Sequence, residues 1–182
     1  MLLSKSRFYI LIIFTLPFIY SCEKEEVPPK CDTCFINMYI NGISWQADYV
    51  HASNVNPVFY SIEGYGSDSF NQIRESLAIR KIPIEIGTYK LTDDSLLENE
   101  NLEANVFFNT SLSDGDVLGA VYEIIEKEDN FLKLERIDLE NDFVEGQFQM
   151  SLIKVRDPDT NIEFPDTVRI TQGVFRSDIR RE

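Results

Sequence analysis

The sequence predicts an all-β fold: an antiparallel β-sandwich of about nine or ten short strands, with a lipocalin-like closed barrel as the rival architecture. Three observations carry this. Residues of one kind recur at every second position through much of the chain. Val144, Gly146, Phe148, Met150 and Leu152 line one face of a strand and Glu145, Gln147, Gln149 and Ser151 the other. Turn residues punctuate these runs at fairly regular spacing, as at Asn41-Gly42, Asp114-Gly115 and Asp157–Asn161. Almost no stretch sustains helical periodicity.

The elements follow in order. Ile36, Met38 and Ile40 alternate with polar or surface-tolerant neighbours; Asn41-Gly42 is the strongest short hairpin signal, and Ile43, Trp45 and Ala47 resume the pattern. Pro57 to Tyr65 reads as a strand through Val58, Tyr60 and Ile62, closing on Gly64. Ile73 and Leu77 fit a helical spacing, but Leu77 and Ile79 alternate with Ala78 and Arg80, and Pro83 would break a helix, so strand is preferred. Gly87-Thr88-Tyr89 turns into a strand at Tyr89–Leu91, and an acidic connector with at most one helical turn follows. Ala104, Val106 and Phe108 alternate again. VLGAVYEII, LKLERIDLEN and the run from Asp142 to Val155 supply three more strands. The last carries Val168, Ile170 and Phe175, with a bulge expected at Gly173.

INGISWQA, IEIGTYKL and the closing EGQFQMSL and VRITQGVF resemble landmarks of a family of uncharacterised Bacteroidota lipoproteins. The likeness spans most of residues 35–176 and implies an all-β extracytoplasmic domain. It lends no activity to particular residues.

The N-terminus agrees with that likeness. Lys5 and Arg7 precede thirteen apolar residues, Phe8 to Tyr20, interrupted by Pro17. A membrane-spanning helix needs roughly 20 residues at about 1.5 Å each, so the layout matches a signal peptide instead. Ile19-Tyr20-Ser21-Cys22 resembles a bacterial lipobox. That likeness implies lipid on the Cys22 sulfur and cleavage before it, leaving residues 1–21 as the signal, 22–34 as lipidated tether and 35–182 as one β domain. Two or more acyl chains, at about 0.8 kcal/mol per buried methylene, would anchor the protein durably in the outer membrane. Lys24, Glu25 and Glu26 resemble the surface-export signal of Bacteroidota lipoproteins, and Val27-Pro28-Pro29 favours an extended tether.

Without residues 1–21 the chain keeps 15 basic and 31 acidic side chains, a formal charge of −16. That disfavours nucleic acid, whose phosphates attract basic patches. The expected partners are the membrane, through the lipid, and a glycan or protein ligand.

Candidate chemistry is sparse. Cys31 and Cys34 form a CxxC between tether and first strand, where a disulfide is expected outside the cytoplasm and neither a redox motif nor a zinc site fits. His51 is the only histidine; Asp48 and Ser53 are near in sequence, which does not make a triad. Asp157, Asp159 and Asn161 resemble the start of a calcium loop, but Ile162 and Val168 stand where glycine and glutamate are needed, so a hairpin turn is preferred. Asp94-Ser95-Leu96 resembles a Bacteroidota O-glycosylation site at Ser95; Asp166-Thr167-Val168 matches less well because Thr167 reads as strand. Tyr60, Tyr65 and Tyr89 are candidate contact aromatics, though alternation places some in the core. The expectation is a non-catalytic binding module without cofactor or resident metal. A structural subunit of an envelope complex, or a small carboxylate-dependent hydrolase, are the rivals.

Overall fold

A hydrogen-bonded strand ladder accounts for nearly all of the regular structure. In this computed structural model the described residues are 31–56, 59–68, 73–93, 104–112, 118–156 and 165–179, and all their regular elements are strands. These are β1 (Phe35–Ile40), β2 (Ile43–Gln46), β3 (Tyr49–Asn56), β4 (Phe59–Ser67), β5 (Ile73–Pro83), β6 (Gly87–Asp93), β7 (Ala104–Ser111), β8 (Leu118–Ile124), β9 (Phe131–Asp138), β10 (Phe143–Arg156) and β11 (Thr167–Asp178).

They form one sheet in the order β2-β1-β11-β10-β9-β6-β7-β5-β4-β3, with β8 bonded to both β10 and β7. Two strands change partner along their length. β10 pairs with β9 over Phe143–Gln149 and with β8 from Leu152 onward. β7 pairs with β6 over Ala104–Val106 and with β8 from Phe108 onward. The sheet thereby folds over a single interior, sandwich-like and not a clear barrel.

The all-β expectation holds, with two differences in detail. The sheet is mixed: β6 and β7 run parallel, Leu91 opposite Ala104 and Asp93 opposite Val106. Parallel neighbours cannot be joined by a tight hairpin, and residues 94–103, which connect them, lie outside the described residues. The described residues also hold eleven strands, some long, β10 having 14 residues. The unforeseen one is β3, whose small and polar residues (Ala52, Ser53, Asn54) mute its alternation.

The core follows the period of two. Ile36 and Met38 of β1, Tyr60 and Ile62 of β4, Leu77 and Ile79 of β5, Phe108, Tyr122, Phe148 and Phe175 are all almost fully buried. Each such side chain contributes about 1.5–3 kcal/mol relative to exposure. Asn41 and Gly42 both have positive φ, 51° and 81°, as the twisted hairpin turn requires. The bulge lies at Gln172–Gly173, where the β1–β11 and β10–β11 registers both shift. Gln172 takes the left-handed conformation (φ 52°), while Gly173 is needed for space: a Cβ there would lie 2.5–2.7 Å from the Phe148 ring.

Candidate functional site

Most of the residues singled out from sequence do not gather into one site. Cys22, Lys24, Glu25, Glu26, Ser95, Asp157, Asp159 and Asn161 lie outside the described residues. Cys31 and Cys34 are joined as a disulfide. The Asp178 backbone N–H donates to Cys34 Sγ at 3.2 Å, so the staple meets the end of β11. Asp178 also offers a carboxylate oxygen near both sulfurs, a grouping suited to a metal only if the thiols were free.

His51 stands on β3 with its ring stacked on Tyr49 at 6.5 Å, and its Nδ1 is buried without a partner. Asp48 instead accepts from the backbone N–H and hydroxyl of Ser67, and Ser53 pairs with Ser61. The three are not joined as a triad. Of the tyrosines, Tyr60 is 1% exposed and belongs to the core, which corrects its candidacy as a contact residue; its parity on β4 matches the inward Ile62. Tyr65 is half-buried on the outer face beside Tyr49, 6.2 Å between ring centres, and donates to Glu63 at 2.6 Å. Burial first, then the Glu63 carboxylate it bonds, pushes the Tyr65 phenol well up. Tyr89 donates to the Glu85 carbonyl at 2.7 Å.

An apolar cleft lies elsewhere among the described residues, at one end of the interior. Ile40 of β1 and Pro165 and Val168 at the start of β11 wall one side. Arg74 and Glu75 of β5, Phe108, Thr110 and Ser111 of β7, and Tyr122 of β8 wall the other. The cleft encloses about 290 Å³. Its floor is apolar because inward positions such as Phe108 and Tyr122 belong to the core. Tyr122 donates to the Pro165 carbonyl at 2.9 Å and so ties the two sides together.

Its polar groups have a definite order. Arg74 is bound to the Asp68 carboxylate through Nε and Nη2 and to the Leu112 carbonyl through Nη1. Glu75 has the parity of Leu77 and Ile79, so an acid occupies an inward-facing position of β5. Its Oε2 accepts one long bond, 3.4 Å, from the Trp45 indole N–H. Gly66, opposite Glu75 on β4, leaves the space: a Cβ there would lie 2.6 Å from Trp45 Nε1 and 3.0 Å from Glu75 Oε2. Burial raises the Glu75 carboxyl above its ordinary value and Asp48 adds to this, against a lowering by the Trp45 bond and Arg74.

Sequence reasoning passed over Glu75, yet a signal was present. Once Ile73–Ile79 is read as a strand, Ile73, Glu75, Leu77 and Ile79 share one face, and a lone acid among three aliphatics marks a polar inward position. Its neighbours, Gly66 and Thr110 on the flanking strands and Trp45 from β2, have no local signature that would join them. Family models, curated proteins and solved structures offer no match to this chain.

Proposed function

We propose that the chain is a lipid-anchored lipoprotein of the outer membrane, facing the cell exterior, whose β domain is a non-catalytic binding module with the end cleft as its ligand site. The observation that carries the binding reading is the cleft itself: an apolar floor with one inward-facing carboxylate, built from both sides of a rigid sheet. Anchorage rests on the Ile19-Tyr20-Ser21-Cys22 pattern after a basic and apolar leader, and outward exposure on Lys24-Glu25-Glu26.

The test of binding is a thermal-shift screen of glycans, peptides and small organic molecules against the protein and a Ser111→Phe variant that fills the cleft. Saturable stabilisation that the filled variant loses supports the module. A complete absence of cleft-dependent ligands removes it. The hydrolase reading keeps one supporting observation, the influence of Asp48 on the raised Glu75 carboxyl. Turnover of a glycoside abolished by Glu75→Gln would establish it over the module.

A further inference from the structure

We propose that the cleft takes an ammonium group on a short apolar stem, with Glu75 as its counter-ion; this rests on the cleft being the ligand site. The argument begins with an imbalance. The Glu75 carboxylate, half-buried on an inward position, loses part of its hydration, and a charge or strong hydrogen bonds would offset that loss. Among the described residues Glu75 receives only the 3.4 Å indole bond, longer than a normal N–H···O contact. Among the described residues no Lys or Arg nitrogen lies within ion-pair distance of it. Arg74 is adjacent in sequence but on the other parity, and its donors go to Asp68 and Leu112.

The sign of the missing partner follows. Arg74 attracts Glu75 from a distance and Asp48 repels it, but the Arg74 donors are held by Asp68 and Leu112, and the whole chain carries −14. An anionic ligand would meet the Glu75 carboxylate and an arginine already engaged. A cation would instead supply the charge-assisted bond that Glu75 lacks. The stem follows from the walls: Ile40, Phe108, Val168 and Tyr122 offer carbon surface. A volume of about 290 Å³ is at the small end of ligand pockets, roughly 300–1,000 Å³, so the stem is short. The same chemistry occurs in a free alkylamine and in the lysine side chain of a protein partner.

Trp45 is the only tryptophan and donates to Glu75, so its fluorescence reports the site directly. The full chain is titrated with n-hexylamine, with 1-hexanol as the uncharged analogue and with a short peptide carrying one lysine, and calorimetry measures the same affinities. The expected result is saturable binding of hexylamine, about 10- to 100-fold tighter than hexanol, and a comparable loss in Glu75→Gln. Equal binding of hexylamine by Glu75→Gln, or equal binding of hexanol, overturns the ammonium assignment and leaves the binding module standing. No response to any probe overturns the assignment too; together with a failed ligand screen it removes the module. Tighter binding of the peptide than of hexylamine identifies a protein side chain as the source of the ammonium, and the reverse a free amine. Glu75→Gln keeps the side-chain shape, and its melting temperature shows that a lost signal is not lost folding.

Discussion

Two carboxyl groups of this protein respond to pH in opposite senses, and the cause is local. Glu75 is held above its ordinary value chiefly by burial, on a site bounded by Trp45, Arg74, Asp48 and Gly66. The folded state then holds the proton more tightly than the unfolded chain. Its contribution is full below the unfolded value and is lost as pH rises through the folded one. Glu75→Gln is therefore expected to melt higher than the parent at pH 7, with the gap closing towards about pH 4, where an unperturbed glutamate takes up its proton; a melting series across that range checks it. Asp138 is lowered, first by the Asn141 side chain and then by the backbone N–H groups of Asn141 and Glu140. Its contribution is present above the unfolded value and is lost on acidification, so Asp138→Asn should flatten the acid side of the same profile. Gly173 poses a steric question. An added methyl group must displace the Phe148 ring, and Gly173→Ala should cost about 1–3 kcal/mol in denaturant unfolding.

At the scale of elements, side chains decide where strands turn. Asn130, 4% exposed, donates to the Ile125 and Glu128 carbonyls and accepts from the Ser151 backbone N–H, fixing the β8–β9 turn against β10. Asn130→Ala strands those backbone groups and should cost roughly 1–3 kcal/mol, with faster amide exchange at Ser151 as the local sign. The Cys31–Cys34 staple closes a very short loop, so its effect on the unfolded chain is modest. Reduction should lower stability by about 2 kcal/mol or less. Element by element, much of this was legible. β1, β2, β7, β10 and β11 announce themselves by strict alternation, and Asn41-Gly42 by its turn chemistry. β3 was not, because residues on its polar face look like loop when its neighbours are unknown.

For the whole molecule, the expected test of placement is protease digestion of intact cells, with lysed cells and Cys22→Ala as controls. Loss of the domain from intact cells is the outcome expected of a surface lipoprotein, and protection until lysis would turn the search for ligands towards the inside of the envelope. Of the exposed apolar side chains, Ile43 on β2, Ile86 before β6 and Leu139 after β9 lie on separate elements, while Ile153 and Val155 are a pair on β10. Apolar side chains from four strands converge in the cleft, which directs the search towards a small ligand group.

The sequence by itself determined the all-β class, most of the strands, the hairpin at Asn41-Gly42 and the bulge beside Gly173. These are short-range facts, set by a period of two and by turn residues acting on their neighbours. Only the tertiary structure decided the parallel β6–β7 pair, the burial of Tyr60, the cleft that Glu75 lines and its contact with Trp45. Those depend on which strands lie side by side after long excursions of chain. Pairing is selected by the packing of the whole interior, and no local pattern records it.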